Sequence, residues 1–357
     1  LWANLDPSLE QSARVLGAGR IRTFYHVTLP LLSPAIVSSA LLTFAFSFTS
    51  FGVVLVLGGS QFATLEVAIF ELTAKLFRLP LAGALSIIQL IFTYVFLLLY
   101  AKFQEKSVVS LNLKPQEATI RRGIRITDRL FIIGMGLLVI AMLSPLIALV
   151  VRSLTFEGGY ATTQIGNLFS NERGSYFYLS PLMIIWNSLR FAFATVVISL
   201  TLGTIVSYFL TGSKKRGRSI RDAIFMLPLG VSAVTLGFGY IIALSRPPVD
   251  IRGSWIILVI AHSLVAYPFV IRSLLPVLQG FAPNLREAAS LLGATPARVF
   301  FLIDLPIIAP ALLVGATFAF AVSMGEFGAS LLLVRPEFMT IPVAIFRFLG
   351  LPGAANL

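Results

Sequence analysis

The hydrophobic positions of this chain fall into seven long blocks separated by shorter polar segments. Each block is long enough to cross a hydrocarbon layer of about 30 Å as a helix, which takes roughly 20 residues. The approximate limits of the blocks are 31–57, 80–101, 130–151, 181–211, 222–245, 254–279 and 307–334. The pattern predicts an all-α fold in the form of a polytopic helical bundle in a membrane.

Two polar segments that lead into apolar blocks repeat each other at a distance of 276 residues. The segment PSLEQSARVLGAGRIRTFYHVTLPLLSPA (7–35) corresponds to PNLREAASLLGATPARVFFLIDLPIIAPA (283–311). Without any gap, 26 of the 64 positions from residue 7 to residue 70 are identical to their partners. The chain is therefore internally duplicated.

Each copy of the repeat predicts a short helix, a glycine break and a second helix that ends at a Leu-Pro pair. Gly17 and Gly293 follow the first helix, where a left-handed conformation costs glycine little. The second helix is expected to start near Gly19 or Pro296. The apolar stripe of the first helix is narrow and contains Ala and Ser, whereas a helix lying on a bilayer needs a wide apolar face and a basic polar face. Docking of both helices into a partner protein is the favoured interpretation.

Composition narrows the class of protein further. Of 357 residues, 57% are hydrophobic and 12% are charged, and the mean hydropathy is +0.92, values outside the soluble globular range. The chain contains no Cys and two His, which argues against disulfides, thiolate chemistry and a metal centre. We expect no cofactor and no redox function.

The net charge of +12 is explained by membrane orientation rather than by a nucleic-acid partner. If both repeated segments are cytoplasmic, the alternation of spans places 17 Lys and Arg residues in inner loops and 8 in outer loops. This asymmetry follows the positive-inside rule. The prediction is a multi-pass protein of the inner (plasma) membrane.

The repeat also predicts how the chain is divided. Residues 1–103 are expected to form the C-terminal part of a first half, with one loop and two spans, and residues 104–129 a cytoplasmic linker. Residues 130–357 are expected to form the second half, with five spans, a loop at 280–306 and the last span missing. Comparison of the halves predicts that about four spans are absent upstream and one downstream. The alternative is a naturally asymmetric protein.

The segment EAASLLGATPARVFFLIDLP (287–306) resembles the EAA loop of binding-protein-dependent ABC importer permeases. The motif positions of that family are occupied by Glu287, Ala288, Ala289 and Gly293. The resemblance implies that the loop is a coupling helix, which sits in a cleft of the ATP-hydrolysing subunit and passes its closure to the membrane helices. It also implies an ABC ATP-binding subunit, in two copies, as a partner.

The first copy departs from the family motif. Gln11, Ser12 and Ala13 stand where Glu, Ala and Ala are expected, so the role of the motif glutamate is transferred to Glu287 only. Leu16 and Gly17 match the second copy and are predicted to take part in coupling.

Two fused halves are similar to the subgroup that imports ferric iron, thiamine or small phosphonates, and the resemblance covers nearly the whole chain. It is carried by FTSFGVVLVLGG, ATLEVAIF, AYPFVIRSL and MGEFGASLLL. It implies an importer that works by alternating access and takes its solute from a periplasmic or lipid-anchored binding protein. Ferric iron and thiamine are the favoured solutes.

Ionisable residues within apolar blocks are candidates for the translocation path. Glu326 and Arg190 lie roughly 12 and 14 Å from the outer ends of their blocks at 1.5 Å per residue, so we hypothesise that they form a buried ion pair. The alternative is that each residue faces water or the end of its own helix. Ser50 replaces Glu326 in the first copy. The isolated residues His26 and His262 are interpreted as structural.

Two other functions remain as alternatives. The chain has no GxxxxGK[ST] motif, so ATP hydrolysis would need a separate subunit and no catalytic residue is predicted. A membrane-embedded enzyme that uses Glu326 as an acid or base is disfavoured, because no paired carboxylates, HExxH helix or GxSxG elbow accompany it. A secondary transporter often has repeats of inverted topology, whereas the repeat here is parallel.

Overall fold

The computed structural model describes residues 7–58, 60–107, 126–156, 159–160, 179–212, 217–244, 253–280 and 283–350. These residues are almost entirely helical, which confirms the predicted fold class. The helices are α1 (Pro7–Val15), α2 (Arg20–Thr23), α3 (Leu29–Phe48), α4 (Leu65–Phe70), α5 (Leu79–Ser107), α6 (Ile126–Leu154), α7 (Pro181–Gly212), α8 (Arg218–Gly230), α9 (Ala233–Ala243), α10 (Ile256–Gln279), α11 (Pro283–Leu291), α12 (Pro296–Val299), α13 (Leu305–Gly325), α14 (Gly328–Leu333) and α15 (Ile341–Leu349).

Shorter elements connect these helices. Strands β1 (Thr155–Phe156) and β2 (Gly159–Tyr160) form an antiparallel pair. Single π-helical turns lie at Phe24–Thr28, Val54–Gly58, Glu71–Lys75 and Phe300–Asp304, and 3₁₀ turns at Ser60–Phe62 and Pro336–Phe338.

The chain is divided into two compact units. One comprises residues 1–38, 108–175 and 180–182, and the other residues 39–107, 176–179 and 183–357. These units are not the two halves expected from the repeat, and the division into 1–103, 104–129 and 130–357 stays a prediction. Most of the predicted linker, residues 108–125, lies outside the described residues.

Within the described residues, five single helices are long and apolar enough to cross a membrane. They are Leu79–Leu99, Arg129–Arg152, Pro181–Gly212, Ile256–Gln279 and Pro296–Gly325. A sixth candidate span consists of two helices that meet at a sharp bend. The predicted first block begins as α3, which ends at Phe48.

The block predicted as a continuous span at 222–245 is broken. Helices α8 and α9 meet at an angle of 95° around Val231 and Ser232. Pro228, near the end of α8, lacks a backbone N–H, and Val231 adopts an extended conformation. Ser232 then caps α9, because its hydroxyl accepts a hydrogen bond from the Val234 backbone N–H at 3.0 Å. We call the segment Gly230–Ser232 the corner.

The corner packs directly against α5. All three of its residues are buried. The Thr93 hydroxyl donates a hydrogen bond to the Gly230 carbonyl oxygen at 3.0 Å, which satisfies a carbonyl at the end of α8. A Cβ atom at Gly230 would lie 2.6 Å from the Thr93 methyl carbon, so only glycine allows this approach.

Small residues also allow α10 to pack closely on its neighbours. A Cβ atom on Gly315 of α13 would lie 2.8 Å from the Ser273 hydroxyl oxygen of α10. A Cβ atom on Gly203 of α7 would lie 2.6 Å from the Val270 side chain. Such close approach is typical of helix packing in membranes, where van der Waals contact drives association.

Candidate coupling loops and buried polar residues

The two copies of the repeat adopt the same local structure, residue for residue. In the first copy, α1 is followed by Gly17, α2, a π turn and α3. In the second copy, α11 is followed by Gly293, α12, a π turn and α13, with every boundary up to the start of α13 displaced by 276 residues. We call residues 7–28 and 283–304 the coupling loops, and α1 and α11 the coupling helices.

Both coupling helices end in a Schellman motif. Gly17 has φ of +84° and Gly293 has φ of +81°, which confirms the predicted left-handed glycines. The Ala18 backbone N–H donates to the Ala13 carbonyl and the Ala294 N–H donates to the Ala289 carbonyl, each at 3.0 Å. Residues with a side chain resist this backbone conformation, so glycine fixes the turn.

The turn presents apolar side chains to solvent at the same place in each loop. Leu16 is 87% exposed and Leu292 is 89% exposed. Glu287 and Ala288 on α11 are exposed as well, and Ala289 is half-buried. In each loop the exposed leucine immediately precedes the left-handed glycine. The structure therefore places the residues predicted for coupling on one accessible surface of each loop. We call this surface, centred on Leu16 or Leu292, the leucine knob.

A side-chain tie links the two ends of the second coupling loop. The Arg286 Nε atom donates to Asp304 Oδ1 at 2.9 Å. The Tyr208 hydroxyl of α7 donates to the other carboxylate oxygen, Oδ2, at 3.0 Å. The Arg286 guanidinium lies 5.5 Å from the centre of the Tyr208 ring.

The first coupling loop has a tie at the same two positions. The Thr28 hydroxyl donates to Glu10 Oε1 at 3.0 Å. Sequence reasoning missed both ties. One signal was available in the sequence. The first copy has an acid and a hydroxyl at these two positions, Glu10 and Thr28, whereas the second copy has a base and an acid, Arg286 and Asp304, so both positions change together.

The residues predicted for the translocation path do not form the hypothesised ion pair. Glu326 is buried at the end of α13, and its Oε1 atom accepts a hydrogen bond from the Ala329 N–H of α14 at 2.8 Å. The Arg190 guanidinium lies over the rings of Phe191 and Phe338, at 4.8 and 5.8 Å from their centres. No ion pair between Glu326 and Arg190 is present among the described residues. Their role in translocation stays a prediction.

Ser50 and Glu326 come at the same point of the two copies, where α3 and α13 have ended. Each is followed by a phenylalanine, and the rings of Phe51 and Phe327 stack with their centres 5.5 Å apart. Ser50 itself is half-buried. Ser50 and Glu326 are thus each adjacent in sequence to one of the two stacked rings.

The two histidines of the chain make polar contacts of different kinds. The ring nitrogens of His262 on α10 lie 2.8 Å from the hydroxyls of Ser323 and Ser330. His26 Nδ1 lies 3.1 Å from the Arg22 carbonyl oxygen within its own loop. These contacts agree with the structural interpretation of both histidines.

A cluster of buried polar side chains joins α4, α5 and α9, and it contains a carboxyl that sequence reasoning did not single out. Glu66 of α4 is fully buried and accepts a hydrogen bond from Gln89 Nε2 of α5. The Thr235 hydroxyl of α9 donates to Gln89 Oε1 at 2.7 Å. Burial raises the pKa of Glu66 to about 7, against the opposing effect of hydrogen bonds from Ser232 and Gln89.

Comparison of the sequence with known proteins identifies a family. Residues 2–110 match the family model of the binding-protein-dependent transport system inner membrane component. The molybdenum transport system permease protein ModB of Haemophilus influenzae is 33% identical over 181 residues, which are 47% of this chain and 79% of the relative. The same protein of Escherichia coli K12 is 31% identical over 183 residues, covering 47% of this chain and 80% of the relative.

A longer match is found with a ferric permease. The ferric transport system permease protein FbpB of Actinobacillus pleuropneumoniae is 25% identical over 338 residues, covering 94% of this chain. The chain spans about half of that relative, since the match covers 49% of its length. The paired loops, the apolar helices and these relatives lead to one conclusion: the chain belongs to the family of inner membrane components of binding-protein-dependent transport systems, the permeases of ABC importers.

Proposed function

We propose that the chain is the membrane permease through which an ATP-driven importer moves ferric iron. The observation that carries the importer function is the identical geometry of the two coupling loops, with a left-handed glycine and an exposed leucine at the same position of each. Two equal knobs suit two copies of one ATP-binding subunit. Both loops then face the cytoplasm.

The favoured solute comes from the relatives. FbpB is a ferric transport permease by name, and its match covers 94% of this chain. The molybdenum permeases are more similar in sequence but match only 47% of it. A binding protein outside the membrane delivers the solute, and hydrolysis of ATP takes place on the separate subunit. No step of the transport cycle requires a catalytic residue of this chain.

Transport in proteoliposomes tests this function. The full-length protein is reconstituted with its ATP-binding subunit and its solute-binding protein, and uptake of radioactive ferric iron is measured with and without ATP. We expect uptake only when all three proteins and ATP are present. Molybdate and sulfate serve as competing solutes. Uptake driven by an ion gradient in the absence of nucleotide would favour a secondary transporter instead.

The orientation of the loops is tested separately with single cysteines. The chain has no natural cysteine, so Leu16→Cys and Leu292→Cys each introduce one thiol at a highly exposed site. We expect a membrane-impermeant maleimide to label both variants in inverted vesicles and neither in intact spheroplasts. Labelling of either variant from outside would contradict the proposed arrangement.

A further inference from the structure

We propose that Glu10–Thr28 and Arg286–Asp304 are positioning ties that transmit movement of each coupling helix to the membrane helix after it, and that the Arg286–Asp304 tie transmits more. This inference rests on the proposed coupling function and adds residues outside the EAA positions. The argument begins with the mechanical weakness of the loops themselves.

The glycine of each turn makes no packing contact on the side where a side chain would lie. A Cβ atom at Gly17 or Gly293 would meet nothing within 4 Å, so this side of the turn is open. The glycine turn and a four-residue helix connect each coupling helix to the π turn. A push on the exposed leucine would bend the turn unless a second connection bypassed it.

The ties are that second connection. Each joins the middle of a coupling helix to the last residue of the π turn, 18 positions further along the chain. Thr28 and Asp304 are both buried, and each immediately precedes the first residue of α3 or α13. Each tie therefore connects the coupling helix directly to the residue before α3 or α13, in addition to the path along the backbone. Rotation of the coupling helix is therefore passed to the start of the membrane helix.

The two ties differ in chemistry. Thr28 donates one hydrogen bond to a carboxylate that also lies 3.8 Å from Arg14 of the same helix. Asp304 accepts from Arg286 and from Tyr208, and so its carboxylate oxygens are held by two different helices. The bond from Arg286 is an ion pair to a carboxylate with only 7% of its side chain exposed. Charge-assisted hydrogen bonds in partly buried sites are among the stronger ones.

The link to Tyr208 extends the second tie beyond its own loop. Tyr208 lies on α7, a candidate membrane span. Movement of α11 thereby reaches both α13 and α7 through one carboxylate. This arrangement is the reason to expect the second loop to contribute more to coupling than the first.

The test measures the number of solute molecules imported per ATP hydrolysed in the reconstituted full complex. Asp304→Asn keeps the size of the side chain and removes the ion pair, and Arg286→Ala removes the other partner. We expect each to lower the coupling ratio by on the order of tenfold. Thr28→Val, which keeps the shape and removes the hydroxyl, should lower it by about twofold to threefold. Tyr208→Phe should fall between these values.

A matched control and a rescue separate coupling from folding. Arg347→Ala removes an exposed arginine of α15, outside both coupling loops, and should leave the coupling ratio unchanged. The exchange Arg286→Asp with Asp304→Arg reverses the ion pair and should restore part of the lost coupling. All variants are expected to copurify with the ATP-binding subunit as the wild type does, because the leucine knob is intact.

The outcomes distinguish the two proposals. A wild-type complex without nucleotide-dependent uptake would overturn the proposed function and this inference with it. If the wild type is coupled and the Asp304 and Arg286 variants keep its coupling ratio, the ties alone are refuted. Equal losses in the Thr28 and Asp304 variants would refute the unequal share. Loss of subunit copurification in step with loss of coupling would show a purely structural role and also refute the inference.

Discussion

The rings of Phe51 and Phe327 stack across the repeat, with centres 5.5 Å apart and planes inclined by 23°. The two residues occupy the same position of the two copies, 276 residues apart. Each also contacts a second equivalent ring, because Phe51 lies 5.4 Å from Phe70 and Phe327 lies 5.2 Å from Phe346, both at 59°. The four rings form a pseudo-symmetric row that joins the repeats.

This row predicts a large effect of truncation. Phe51→Ala removes a buried ring and is expected to lower the free energy of unfolding by about 3–5 kcal/mol, whereas Phe51→Leu should cost less. Denaturation of the detergent-solubilised protein measures the effect. Phe44→Ala is the matched control, since Phe44 is 45% exposed. Equal losses at positions 44 and 51 would show that the row contributes nothing special.

The left-handed glycine of the second loop predicts a loss of coupling on substitution. Gly293→Val should strain the backbone by about 1–3 kcal/mol, because a β-branched residue resists a φ of +81°. Gly293→Asn should be tolerated better, since asparagine visits this region more readily. The measurement is uptake together with ATP hydrolysis stimulated by the binding protein. Unchanged values for the valine variant would remove Gly293 from the coupling mechanism.

Because burial raises the pKa of Glu66, we expect the stability of the protein to depend on pH. Its pKa in the folded protein is about 7, above the ordinary value of 4.5, because burial disfavours the charged form. The stabilising contribution of the protonated form is therefore complete below about pH 4.5 and is lost as the pH rises through 7. We expect the free energy of unfolding to fall by about 2–3 kcal/mol between pH 5 and 8 on this account.

Two variants test the assignment to Glu66. Glu66→Gln stays neutral and should remove this part of the pH dependence while it keeps most of the stability at low pH. Glu66→Ala leaves Gln89 without its acceptor and should be destabilised at every pH. A glutamine variant with the full wild-type pH dependence would show that another group titrates.

His262 predicts coupled effects of substitution at two serines. The ring lies 2.8 Å from the Ser323 and Ser330 hydroxyls, and all three residues are buried. Replacing His262 by Ala leaves both hydroxyls without this partner and is expected to cost about 2–4 kcal/mol of folding stability. In the His262→Ala background, Ser323→Ala should cost much less than it does alone. Additive losses would exclude a shared network.

The sequence predicted the features that depend on local pattern. The helical fold follows from the length of the apolar blocks, and the turns at Gly17 and Gly293 follow from glycine at the end of a short helix. The bend at Val231 was missed because the block around it stays apolar on both sides, so hydropathy alone cannot reveal a change of direction. Phe338 and Tyr208 are far along the chain from Arg190 and Asp304, which they contact, and no spacing rule joins them.

The corner at Gly230–Ser232 restricts how the protein rearranges during transport. Ten residues of the candidate span, 220–229, precede it and form about 15 Å of helix, so it lies near mid-membrane if this pair spans the bilayer. Irregular backbone at that depth is tolerated only where protein or a water-filled space covers it. Thr93 supplies that cover through its bond to Gly230. Separation of α5 from the corner would therefore require another protein group or a water-filled space to cover this backbone.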